Sequence, residues 1–138
     1  MNTILKNTLA LVFGLLIGGA LNMLIIMISS AIIPPPAGSD LTTMEGLKAA
    51  MHLMEPKHYL LPFIAHAAGS FIGAFSTAKI AATSKMKLAL AIGICFLVGG
   101  IMNVVMLPSP LWFTFVDVGL AYIPMAYLGG IAAVKRTV

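Results

Sequence analysis

The sequence contains very few charged residues for its length. Only 9% of its 138 residues are Asp, Glu, Lys or Arg, whereas 60% are apolar. A water-soluble fold of this size exposes far more charged surface than these residues supply. The shortage of charge therefore excludes a soluble protein, and the mean hydropathy of +1.05 indicates a membrane protein instead.

Cysteines and clustered basic residues are also scarce. Cys95 is the only cysteine, which excludes an internal disulfide, a CxxC redox pair and a thiolate metal cluster. The net charge of +4 comes from basic residues that stand singly or in pairs beside apolar runs, without the basic stripe of a nucleic-acid surface. We therefore predict no cofactor, no metal site and no nucleic-acid partner.

Four apolar runs dominate the chain, and each is long enough at about 20 residues to cross a bilayer core of about 30 Å. Pro34-Pro35-Pro36 ends the first run, since consecutive prolines cannot donate backbone hydrogen bonds. We predict an all-α polytopic membrane protein with a single four-helix transmembrane domain over residues 1–138. Its spans cover about residues 8–33, 59–82, 88–107 and 111–134, with an outer loop at 34–58.

The outer loop carries the signals of a short helix. Thr42 and Glu45 have the spacing of a capping box, which starts a helix, and Pro56 ends the segment. We predict an amphipathic helix that lies on the bilayer surface, with a partly ordered loop as the alternative. The apolar residues that recur at helical spacing are Met44, Leu47, Met51 and Met54.

One segment of the chain occurs nearly twice. Gly18-Gly-Ala-Leu-Asn22 in the first run corresponds to Gly99-Gly-Ile-Met-Asn103 in the third, and a weaker match pairs residues 72–79 with 128–135. Both hairpins begin on the same side of the membrane. We therefore predict two parallel hairpin repeats, related by an axis along the membrane normal.

Glycines four residues apart occur in the first two runs, as Gly14 with Gly18 and Gly69 with Gly73. Small residues at this spacing let two helix backbones approach closely in lipid. We predict that these glycines pack helices together, either within the chain or against a partner membrane protein.

The basic residues are shared unequally between the two sides of the membrane. The side of the outer loop has two, Lys48 and Lys57, and cytoplasmic loops are the ones that carry an excess of Lys and Arg. We therefore predict that both termini lie in the cytoplasm and that the proline-rich loops face outwards. The six basic residues on the other side are Lys6, Lys79, Lys85, Lys87, Lys135 and Arg136.

Each run contains a strongly polar residue in its interior, and these four residues are Asn22, His66, Asn103 and Asp117. Counted from the outer ends of the runs, all four lie roughly 8–12 Å below the outer surface. Polar groups within a membrane face the bundle interior or water. We predict an outward-facing binding pocket in which Asp117 and His66 handle a proton, a cation or a polar head group. A hydrogen-bonded core that only fixes helix order is the alternative.

The other histidines and the methionines form no recognisable metal motif. The successive spacings of six residues from His52 to His58 and eight from His58 to His66 match no helical face or ligand pattern, so we interpret His52 and His58 as solvated or interfacial. Copper coordination is a less favoured interpretation of four methionines at corresponding positions of the repeats. These are Met23, Met27, Met102 and Met106.

Two proline-rich motifs carry a family resemblance. Pro34-Pro-Pro-Ala-Gly38 after the first span, and Pro108-Ser-Pro-Leu-Trp-Phe113 before the last, resemble a family of small four-span bacterial membrane proteins of unassigned function. The resemblance covers most of the chain and implies a bacterial cytoplasmic (inner) membrane. It implies no activity.

The sequence leaves two hypotheses for function. The first is a binding or transport protein that takes a small solute, proton or ion in the polar pocket and forms a homo-oligomer among membrane lipids. The second is an accessory or structural subunit that docks onto other membrane proteins through glycine-rich helix faces. We predict no enzymatic activity, because the sequence contains no nucleophile–base pair and no metal motif.

Overall fold

The computed structural model describes residues 2–135, and within them the chain is all-helical, with no strands. A 3₁₀ turn at Pro56–Tyr59 leads into the second span, and a π-helical turn at Asp117–Ala121 interrupts the last. The α-helices are α1 (Thr3–Ile32), α2 (Met44–Met51), α3 (Leu60–Ile80), α4 (Lys85–Met106), α5 (Leu111–Val116) and α6 (Ile123–Lys135).

Four helical segments are long and apolar enough to cross a membrane, as predicted. They are Thr3–Ile32, Pro56–Ile80, Lys85–Met106 and Leu111–Lys135. Large apolar side chains cover their outer surfaces; Leu111, Phe115 and Val105 are each at least 75% exposed. Such a continuous apolar surface requires lipid around it. The chain is therefore a membrane protein.

Helix α3 occupies the centre of the bundle and packs against α1, α4 and α6. The close packing is possible because α3 buries almost only small side chains. We call the end of the bundle that carries residues 33–59 the long-loop end, and the opposite end the lysine end. The buried residues of α3 are Ala65, Ala67, Gly69, Ser70, Gly73, Ala74, Thr77 and Ala78.

The two glycine pairs face each other between α1 and α3. A Cβ atom added to Gly73 would lie 2.8 Å from the carbonyl oxygen of Gly14, and one added to Gly69 would lie 2.8 Å from that of Gly18. Thr77 fixes the same contact, because its hydroxyl donates to the carbonyl of Ala10 at 3.1 Å. The four glycines are thus in contact within the chain and are not free to receive a partner protein.

The helix of the long loop begins one residue later than predicted. Asp40 accepts hydrogen bonds from the backbone N–H and the hydroxyl of Thr42, at 2.8 and 2.6 Å, which holds Thr42 in the preceding turn. Thr43 is the N-cap instead and accepts from the N–H of Gly46 at 3.0 Å. The predicted capping box of Thr42 with Glu45 was therefore wrong, and α2 ends at Met51, before Met54 and Pro56.

The apolar side of α2 packs onto the long-loop end of the bundle. Met51 contacts a cluster with Tyr59 and Phe113 at its centre, in which the two rings are 4.7 Å apart. His58 ties the same region to the proline turn, because its Nε2 donates to the carbonyl of Pro34 at 3.1 Å. The loop therefore packs against the first residues of α3 and α5, at the long-loop end.

Candidate polar site within the membrane spans

The π-helical turn of the last span positions two polar side chains on one side of the helix. Asp117 and Tyr122 are five residues apart, which would place them about 140° from each other in a regular α-helix. The wider turn at Asp117–Ala121 brings them together, so that the Tyr122 hydroxyl donates to Oδ2 of Asp117 at 2.8 Å. Pro124, two residues after Tyr122, has no N–H to continue an α-helical ladder, which favours a widened turn here.

His66 of α3 completes this cluster. Its Nδ1 lies 2.8 Å from Oδ1 and 3.0 Å from Oδ2 of Asp117, and 3.0 Å from the hydroxyl of Tyr122. The His66 and Tyr122 rings are stacked with their centres 5.6 Å apart. The Asp117 side chain is only 4% exposed and that of His66 is 16% exposed, so the histidine is the member that remains accessible.

With Asp117 ionised, the arrangement sets which atoms of the cluster carry hydrogens. Because the carboxylate of Asp117 accepts from both neighbours, Nδ1 of His66 carries a hydrogen. Among the described residues, Nε2 of His66 has no hydrogen-bond partner. This nitrogen presents a lone pair when the ring is neutral and an N–H when the ring is charged. Nε2 is therefore the atom of the cluster that is free to bind a ligand.

A pocket of about 240 Å³ lies beside His66, between α1, α3, α4 and the last span. Gly100 makes room for Tyr122 in its wall, since a Cβ at this position would overlap the tyrosine ring. Oδ1 of Asn22 is buried without a hydrogen-bond partner. The residues that line the pocket are Asn22, His66, Phe96, Gly99, Gly100, Asn103 and Tyr122.

The structure thus brings together the four polar residues that the sequence singled out. Asn22, His66 and Asn103 line the pocket, and Asp117 lies behind it, bonded to His66. Tyr122 was missed, because its spacing from Asp117 places the two on one side only in a π-helical turn. Phe96 was also missed, since nothing distinguishes it from residues that face lipid, whereas Gly99 and Gly100 were noticed only as part of the repeated segment.

The metal interpretations find no support in the geometry. No group of three or more His, Cys, Asp or Glu side chains could hold a metal ion among residues 2–135. Two of the methionines considered as copper ligands, Met27 and Met102, are 71% and 58% exposed on the outside of the bundle. His58 is occupied by backbone groups at both ring nitrogens.

Comparison with known proteins leaves the site to be interpreted from its geometry. The bacterial location that the proline motifs imply stays a prediction, because no protein-family model, no curated protein and no solved structure matches this chain.

Proposed function

We propose that this chain is a non-enzymatic membrane protein that binds, and in an oligomer moves, a small polar solute or ion. Binding takes place in the pocket beside His66 and is coupled to the protonation of that histidine. The observation that carries the proposal is the hydrogen-bonded pair of His66 and Asp117. Asp117 is buried, whereas His66 lines the pocket.

Placing this pair within the membrane costs free energy that helix packing alone does not require. A carboxylate within a span costs up to about 2.5–3.5 kcal/mol on insertion scales, the value for the centre of the span, whereas hydrogen bonds between membrane helices contribute on average only about 0.6 kcal/mol. The chain already holds α1 against α3 through glycines, without any charge. A charged pair next to a pocket is therefore better explained by binding than by packing.

The lysines favour one orientation of the pocket in the membrane. Lys79, Lys85 and Lys87 surround the turn at the lysine end, and Lys135 closes the last helix there. Because cytoplasmic sides carry the excess of basic residues, we propose that this end and both termini lie in the cytoplasm. The pocket then opens towards the outside, and α2 lies at the outer end of the bundle with its apolar side packed against the protein.

The two hairpins also suggest how a path across the membrane could arise. Asn22 and Asn103, the matching residues of the repeated segment, line the same pocket, which supports two parallel hairpin repeats. The preceding glycines differ, because Gly18 contacts α3 whereas a Cβ on Gly99 would meet nothing within 4 Å. One four-helix bundle encloses little volume, so movement of a solute would take place in a homo-oligomer.

Cysteine accessibility tests the outward-facing pocket. In a Cys95→Ala background, Asn103→Cys should react with a membrane-impermeant thiol reagent applied from outside. Val98→Cys is the matched control, because this side chain is 53% exposed on the outside of the bundle, five residues deeper in the same helix, and should be protected by lipid. Equal protection of both cysteines, or reaction of Asn103→Cys only from the cytoplasmic side, would overturn the proposal.

A ligand panel tests binding itself. Purified protein is heated with small cations, anions and neutral polar solutes, each at several pH values. At least one class should raise the unfolding midpoint of the wild type in a pH-dependent manner, and Asp117→Asn should lose this response. If no class stabilises the wild type, the binding function is wrong.

A further inference from the structure

The pocket lies next to the only acidic side chain within the four spans. The chain has four acidic residues, and the other three, Asp40, Glu45 and Glu55, belong to the long loop. No Lys or Arg lines the pocket. With His66 neutral, the cluster therefore carries one negative charge in surroundings of low dielectric constant, where charge interactions are strong.

The free polar atoms of the pocket are suited to accept hydrogen bonds. Oδ1 of Asn22 is buried without a partner and is out of reach of the pocket, and a rotation of the carboxamide by 180° brings it to the pocket surface in place of the NH₂ group. Nε2 of neutral His66 is a further acceptor, and the carboxamide of Asn103, which lines the pocket, offers an oxygen acceptor beside its two N–H donors. Tyr122 cannot provide its proton to a ligand, because its hydroxyl already donates to Asp117. Negative charge and free acceptors together favour a cation that carries several N–H donors.

The lining also distinguishes an organic cation from a metal ion. A hard metal ion takes six or more oxygen ligands, and the carboxamides of Asn22 and Asn103 supply two. Phe96 presents an aromatic ring to the pocket, and aromatic rings attract ammonium groups through their faces. A Cβ on Gly99 would meet no atom within 4 Å, so this wall of the pocket has space for a short apolar group.

From these features we infer that the pocket binds a small primary ammonium ion and exchanges it for the second proton of His66. This inference rests on the proposed function and names the ligand class of the same site. In the exchange, the proton on Nε2 leaves to water as the ammonium ion enters, so that no net charge accumulates. The freed lone pair of Nε2 then accepts one N–H of the ammonium group.

The surroundings of His66 make this exchange dependent on pH. Asp117 and Tyr122 of the last span face its Nδ1. α1 and α4 contribute carboxamides, Asn22 and Asn103, and no titratable side chain to the pocket. The imidazole is thus the group at which proton and ammonium ion compete. Displacement of one proton lowers ammonium affinity by up to about tenfold for each pH unit of acidification.

Methylammonium chloride is the probe for this inference, with sodium acetate and acetamide as the anionic and neutral comparisons. Dissociation constants are measured on the purified full chain between about pH 6 and pH 8, a range that includes the usual titration of histidine. We expect methylammonium to bind more tightly at the higher pH, and the other two solutes not to bind. Asp117→Asn should weaken methylammonium binding at least about tenfold, the equivalent of about 1.4 kcal/mol. Glu55→Gln, a matched loss of a carboxylate outside the pocket, should leave binding unchanged.

A second variant covers the case in which Asp117→Asn fails to fold. Asn22→Leu removes the unpaired acceptor and replaces it with an apolar side chain of similar shape, so the fold should survive while methylammonium binding weakens. Binding of acetate or acetamide in place of methylammonium would overturn the ammonium inference and leave the pocket intact. Methylammonium binding without pH dependence would refute the exchange with His66. If none of the three solutes binds and Asn103→Cys is unreactive from outside, the proposed function fails as well.

Discussion

Removal of His66 should destabilise the protein more than removal of the whole pair. His66→Leu leaves the carboxylate of Asp117 buried, with the Tyr122 hydroxyl as its remaining partner. Breaking a buried ion pair on one side costs about 3–5 kcal/mol, because the other charge is left uncompensated. The retained hydrogen bond from Tyr122 places the expected loss near the lower end, at about 3 kcal/mol.

The double and triple variants separate the contributions of the cluster. In His66→Leu/Asp117→Leu the buried charge is gone, and only the Tyr122 hydroxyl lacks an acceptor, which costs about 1–3 kcal/mol. Adding Tyr122→Phe removes that hydroxyl, so the triple variant should return to within about 1 kcal/mol of the wild type. Stability should therefore fall most in the single variant and recover with each further replacement.

The free energies of unfolding are measured by SDS titration in mixed micelles at neutral pH. Fluorescence of Trp112 reports the unfolding, because this ring packs edge-on against Tyr59 with their centres 5.7 Å apart. Helix content from circular dichroism serves as the control that all variants begin from the same fold. If the single variant proves as stable as the double variant, His66 and Asp117 are not coupled and the assignment of the pair is incorrect.

Three further predictions concern packing and the long loop. Gly18→Ala should destabilise the protein by about 1–3 kcal/mol through overpacking, since its Cβ would lie 2.5 Å from the carbonyl oxygen of Gly69. Gly19→Ala should cost nothing, because a Cβ there meets no atom within 4 Å, and comparison of the two SDS unfolding curves checks this difference. Ser70→Ala should leave stability unchanged or raise it by up to about 1–3 kcal/mol, because its fully buried hydroxyl has no partner, and a loss in the same assay would contradict the absence of a partner. Hydrogen bonds from the Thr42 side chain and, to a smaller extent, the Thr42 backbone lower the pKa of Asp40 below its usual 3.8. The contact between Asp40 and Thr42 therefore stabilises the loop at higher pH and is lost as pH falls through the lowered pKa, and Thr42→Val should raise the Asp40 pKa in an NMR titration.

Composition and hydropathy were sufficient to predict the helical class and the four spans. Long apolar runs leave no other fold, because every backbone polar group within lipid must be bonded inside its own segment. Residue counting also placed His66 and Asp117 at similar depths. It could not tell that they touch, since contact depends on how far each helix is rotated about its axis, and the helices show little difference between their faces.

The errors have local physical causes. Tyr122 was overlooked because α-helical spacing separates it from Asp117, and the π-helical turn leaves no reliable mark in the sequence beyond the nearby Pro124. The start of α2 was misplaced by one residue because Thr42 and Thr43 are both good caps. Asp40 decides between them by bonding Thr42, a contact that propensities do not reveal.

The π-helical turn also determines how α6 packs at the lysine end of the bundle. Narrowing this turn by one residue would rotate α6 by about 100° relative to α5. The same rotation that withdraws Tyr122 from Asp117 would carry Gly129 and Gly130 away from the α3 backbone and the α4 side chains against which they fit. The last span therefore couples its two ends through one irregular turn. A change in the polar cluster would rotate α6 and loosen its packing at the end that is cytoplasmic in the proposed orientation.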